Sequence, residues 1–175
     1  MIRCTLVLTL VLLSCCTCNA QDGDAPTKQE IVELAHKADE KVTNFEQANQ
    51  LASSYISEAD FQKGMEYSAA AHKAVAALSK NAPTAYTSTE LLIVLNELAL
   101  DAASHARAIY QRAMTTATSG QTVNLNALSA ADSLTKAQSD LAEVSKLVGH
   151  STLRLIATEE KPKHEVARLR TDTPR

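Results

Sequence analysis

Residues 49–66 read NQLASSYISEADFQKGME, and whether this stretch bends or stays helical decides how many helices the chain has. Upstream of it, Ile31, Ala35, Ala38, Val42, Phe45, Asn49, Ala52, Ile56 and Ala59 recur in steps of four and three, the spacing of a buried helix stripe. That register fails at Lys63 and Glu66. A new stripe starts with Phe61, followed by Gly64 or Met65, Ser68, Ala71 or His72, Val75 and Leu78. Two readings follow. In one, a stutter interrupts a single helix over residues 27–80, roughly 80 Å long. In the other, the chain folds back near Ser57, a capping residue with Asp60 three positions on. A reversal without Gly or Pro is unusual, so the long-helix reading is preferred. It leaves the Ile31–Phe45 stripe without an internal partner, to be covered by a second copy of the chain or by another segment.

The remaining turn signals are clearer. Thr27 after Pro26, with Glu30 at the third following position, makes a capping box, and Asn81-Ala82-Pro83 stops the helical region it opens. Thr87-Ser88-Thr89-Glu90 is a second capping box, starting a helix that ends before Ser119-Gly120. A third begins near Asn124 or Asn126 and runs to about Glu160, ahead of Lys161-Pro162. Within it Ala127, Leu134, Leu141, Val148 and Leu155 recur every seven residues, with Ala130, Ala137, Val144 and Ser151 at the second seam position. The run Leu91-Leu92-Ile93-Val94-Leu95 is apolar nearly all round, which marks the middle helix as the most enclosed.

Composition agrees with an all-α chain. Residues 21–175 hold 28 alanines, while the whole 175-residue chain has four glycines and four prolines. No segment alternates with period two, so strands are not indicated. The expected fold is an elongated antiparallel helical bundle with coiled-coil-like seams. It has three long helices, or four with a break near Ser57.

The four cysteines, Cys4, Cys15, Cys16 and Cys18, all fall in the first eighteen residues. Arg3, the apolar run Leu6–Leu13 and the exit Cys18-Asn19-Ala20 read as a secretory signal peptide over 1–20. The expected layout is then a bundle over 21–160 and a polar tail over 161–175. Beyond residue 20 there is no cysteine, which excludes disulfides, thiolate catalysis and Cys-ligated metals there. Those residues carry 16 basic and 20 acidic side chains, which argues against nucleic acid as partner.

The search for chemistry yields little. His36, His72, His105, His150 and His164 form no i, i+3 or i+4 pair that would put two metal ligands on one helix face. His36 with Glu40 and Asp101 with His105 are helix-surface pairs by spacing, and His72 and His105 meet only if their helices bring them together. Glu97 and Asp101 share a face that reads as solvated rather than as a carboxylate pair. Neither a phosphate loop nor a calcium loop, zinc-protease motif or nucleophile elbow occurs, so no enzyme, cofactor or metal site is expected. Two residues remain as candidates. Asn49, polar within the apolar stripe, is a candidate for fixing register or oligomeric state. Tyr86, an aromatic in the connection before the middle helix, is the candidate partner contact. The Thr/Ser clusters 84–89 and 115–122 read as loop and cap residues, with O-linked sugar as the rival reading.

A leader studded with Cys4, Cys15, Cys16 and Cys18 before an Ala-rich, Cys-free helical body resembles the alanine-rich surface proteins of trypanosomatid parasites, the TolT type. The resemblance is one of composition over the whole chain and carries no site residues. It implies an elongated bundle displayed at the cell surface, usually on a glycolipid anchor. The ending Thr171-Asp172-Thr173-Pro174-Arg175 departs from the small-residue site, spacer and hydrophobic tail of such an anchor, so a released product or a shortened member is expected. The expected role is a non-enzymatic secreted or surface bundle in a coat, in adhesion or in host contact, with a protein or glycan partner. The rival is an exchangeable lipid-binding bundle of the apolipophorin class, which opens its seams on lipid.

Overall fold

In a computed structural model, which describes residues 25–81, 85–120 and 122–171, the chain forms four helices: α1 (Lys28–Ala52), α2 (Glu58–Asn81), α3 (Ala85–Thr118) and α4 (Leu125–Thr171). The signal-peptide reading of 1–20 lies outside the described residues. The fold is all-α, and the break near Ser57 is present, so the preferred three-helix reading is corrected to four. The reason is local. α1 ends with bonds that reach back only three residues, Ser53 N–H to the Gln50 carbonyl and Tyr55 N–H to the Ala52 carbonyl. Ser53 stays right-handed at φ −52°, so no glycine is required for the reversal. Ser57 then caps α2, its hydroxyl accepting from the Asp60 N–H at 3.2 Å and bonding the Asp60 carboxylate. Serines compete with helical backbone for hydrogen bonds, and three of them within five residues supply the turn.

Two other starts follow their caps, whereas α3 opens at Ala85, ahead of the expected cap at Thr87, which lies inside the helix. Thr27 and Glu30 close a full capping box on α1. Asn124 caps α4 by accepting from the Ala127 N–H at 3.1 Å. α4 runs past the expected stop near Glu160, so residues 161–171 are helical rather than a frayed tail. It crosses Pro162, whose missing N–H removes the bond that position would give to the Thr158 carbonyl.

Consecutive helices run antiparallel. α1 packs on α2 and α4, and α3 packs on α2 and α4. α1 and α3 also come close across the bundle, whereas among the described residues the backbones of α2 and α4 stay apart and face each other across core side chains. The Ile31–Phe45 stripe is buried inside this bundle, so no second chain is needed to cover it. The seam of α4 is filled as its spacing requires, from Ala127 through Leu134, Leu141 and Val148 to Leu155. The middle helix is less enclosed than its apolar run suggests. Leu92 and Leu95 are fully buried, but Ile93 and Val94 are 40 % and 45 % exposed, because four neighbouring residues of a helix cannot all face one core.

Alanine sets the spacing. Ala35, Ala38, Ala52, Ala106, Ala113 and Ala131 have no exposed surface, and Phe45 is the largest side chain in the core. Small seam residues let helix axes come close but bury little area each, so cohesion is spread over many contacts. At the α3–α4 turn, Ala117 and Ala127 are buried apart from the main cluster.

Candidate functional site

Polar side chains that the fold withdraws from water collect at the four seams, and each seam has its own clasp. Between α1 and α4, Asp140 accepts from Lys41 Nζ at 3.0 Å and from Asn44 Nδ2 at 3.3 Å. The hydrogen bond to Asp140 raises the Lys41 pKa above the ordinary lysine value. Nearer the start of α1, Arg154 stands 3.6 Å from Glu30. Glu30 is held below the usual carboxylate range, first by its bond from the Thr27 backbone, then by the Thr27 hydroxyl.

Between α1 and α2, His72 faces two carboxylates, Asp39 at 2.7 Å from Nδ1 and Glu46 at 3.3 Å from Nε2. Deeper in the same seam lies Asn49, with no exposed surface. Its Nδ2 donates to the Phe61 carbonyl at 2.9 Å, and its Oδ1 is a buried side-chain acceptor without a partner among the described residues. Gly64 makes room for it.

Between α2 and α3, His105 Nε2 donates to the Asp60 carbonyl at 2.8 Å, and its ring meets Tyr67 at 5.7 Å between centroids, tilted by 60°. The Asp60 carboxylate pairs with Arg112. Burial, and then the charge of Lys63, push the His105 pKa down. Between α3 and α4, the Ser145 hydroxyl donates to Asn96 Oδ1 at 2.7 Å.

This geometry separates residues that spacing had paired. His72 and His105 sit on opposite sides of α2, and His105 turns from Asp101 to the backbone of α2. Glu97 and Asp101 are both exposed. Tyr86 falls in the first turn of α3, but its side chain lies outside the described residues. Thr115, Thr116 and Thr118 donate to carbonyls of their own helix. Sequence reasoning missed Asp60, Asp140 and Gly64. Asp60 had entered only as the capping partner of Ser57, and Gly64 only as a possible stripe position.

Three openings among the described residues are small. The gap among Val42, Phe45, Tyr67, Leu95 and Leu141 has no room for a water molecule. Two shallow grooves follow the α1/α4 seam on either side of the Lys41–Asp140 clasp. One, of about 50 Å³, includes Leu34, Lys37, Val144 and Leu147. The other, of about 150 Å³, includes Asn44, Leu51, Ser133 and Lys136. Among the described residues no cluster of three metal-ligating side chains occurs, and no helix is long and apolar enough to cross a membrane. Compared with protein-family models, curated proteins and solved structures, the chain matches none.

Proposed function

We propose that the protein is a non-enzymatic helical bundle of the cell surface or the extracellular space, acting through its outer faces in a coat, in adhesion or in host contact. The observation that supports this is where its chemically capable side chains stand. His72, His105, Asp140 and Asn49 each tie one helix to another rather than converging on a common pocket. A molecule built this way offers a partner a shaped outer surface, and α4, at 47 residues and roughly 70 Å, gives that surface length. The leader read over residues 1–20 supports the location.

Antibody labelling of intact, unpermeabilised cells tests the reading. Surface or medium staining is expected, and a signal confined to the cytosol overturns it. The lipid-exchanging alternative requires the seams to open, and the polar clasps oppose that. Flotation with liposomes separates the two, because a bundle that works closed stays in the unbound fraction with unchanged circular dichroism.

A further inference from the structure

The outward face of α4 carries a pattern that the bundle itself does not use. Leu125, Asp132, Ser139, Lys146 and Leu153 recur every seven residues, and all five are exposed. The buried seam from Ala127 to Leu155 has the same period, so this line keeps its place on the side of α4 away from the core. Leu125 and Leu153, 72 % and 67 % exposed, are the two most exposed large apolar side chains among the described residues. Asp132 and Lys146 make no ion pair among those residues.

Outward from Ser139 the line is symmetric in apolar character and opposite in charge. Asp132 and Lys146 lie seven residues to either side, Leu125 and Leu153 fourteen. A second α4 laid along it in the antiparallel sense, with the two Ser139 residues level, sets each leucine against a leucine and each charge against its opposite. Lys136 and Glu143, exposed beside the line three residues before and four after Ser139, match in the same sense. Parallel copies would instead set Asp132 on Asp132 and Lys146 on Lys146. Gly149 fits the antiparallel arrangement too. A methyl group there would meet nothing within 4 Å inside the chain, so this helix-weakening residue, unlike Gly64, clears no room for an internal neighbour. In the antiparallel pair it comes level with Ser129 of the second copy, where two small residues let the helix axes approach.

We propose that this face of α4 docks a second copy of the chain, forming a two-fold antiparallel dimer centred on Ser139.

From Leu125 to Leu153 the line runs about 42 Å along the helix, and a strip one helix wide covers about 400 Å² per chain. A stable dimer covers about 800 Å² per partner, so these copies are expected to exchange, with a dissociation constant of about 10–100 µM. The leucines at the two ends supply cohesion. The charges between them set direction, because like charges facing each other exclude the parallel pairing.

Sedimentation equilibrium of the full chain, at concentrations up to about 500 µM, tests the dimer. A monomer–dimer equilibrium that weakens in high salt is expected. Asp132→Lys places lysine against lysine at both symmetry-related positions and is expected to weaken the dimer about tenfold. Adding Lys146→Asp to that variant exchanges the two signs and is expected to restore the wild-type constant. Leu153→Gln is expected to weaken the dimer with no rescue by the charge exchange. All three side chains face away from the core, so the variants keep the fold, which circular dichroism verifies. A chain that stays monomeric over the whole range overturns the proposal. So does a dimer that Asp132→Lys leaves unmoved, or one that it weakens and Lys146→Asp does not restore.

Discussion

Asn49 of α1 and Gly64 of α2 share one space: a methyl group on residue 64 would come within 2.6 Å of the Asn49 Nδ2. The amide lies against the α2 backbone and reaches the Phe61 carbonyl there only because residue 64 has no side chain. Glycine in mid-helix costs about 1 kcal/mol relative to alanine. At this position the cost is offset by a contact that couples the two helices at one register.

That coupling is measurable as a double-mutant cycle. Gly64→Ala is expected to destabilise the protein, since overpacking costs about 1–3 kcal/mol and outweighs the propensity gain. In an Asn49→Ala background the clash is gone and the same change becomes neutral or stabilising. Urea midpoints of the four proteins give the interaction term, expected at about 1–3 kcal/mol. Equal effects of Gly64→Ala in both backgrounds would show that the two residues do not constrain each other.

The α1–α2 turn rests on Ser57 in place of glycine or proline. Ser57→Ala removes the acceptor for the Asp60 N–H and is expected to cost about 1 kcal/mol, whereas Ser57→Gly costs only a few tenths. Thermal melts of both variants check the order, and a harmless alanine would mean that the cap does not hold the turn.

Asp140 receives two donors from α1, and Lys41 gives one bond. Asp140→Ala therefore leaves Asn44 and Lys41 without their acceptor and is expected to destabilise more than Lys41→Ala. Asp140→Asn, which keeps one carbonyl acceptor, falls between. Chemical denaturation of the three variants checks the ranking, and the Lys41 contribution should shrink in high salt.

Glu30 contributes a pH dependence whose sign is fixed. Its folded pKa lies below the ordinary 4.5, so its stabilisation is present above that value and is lost as pH falls through the folded one. Glu30→Gln should lose this component while keeping the α1 cap partly intact. Amide exchange in the first turn of α1 between pH 6 and pH 3 is the measurement, and identical acid profiles for variant and wild type would refute the assignment.

Much of the fold is legible in the chain because helices are specified locally. Thr27 with Glu30 and Asn124 before Ala127 mark helix starts by hydrogen bonds that span three residues, and the sevenfold recurrence from Ala127 to Leu155 identifies a buried face without knowledge of its partner. The turn at 53–57 was harder to read, because serine caps and bonds reaching back three residues leave a weaker trace than glycine or proline. Asn49 stood out as the polar residue of its stripe. Its neighbour Gly64 did not, because that pairing exists only after the chain reverses. Asp140 is an ordinary helix-surface acid by sequence and Asp60 is legible only as the capping partner of Ser57, so the approach of α1 and α3 is what gives them their cross-helix partners. Ile93 and Val94 misled for a different reason, since hydropathy registers what a residue is and not which way its helix is turned.

The missing backbone contact between α2 and α4 has a mechanical meaning. With α1 and α3 close and the other two apart, the section of the bundle is a rhombus with one short and one long diagonal. α2 and α4 are therefore joined through α1, through α3 and through the side chains of the shared core, not by direct backbone packing. The longest helix thereby takes its backbone support from α1 and α3, the two helices that approach each other across the short diagonal.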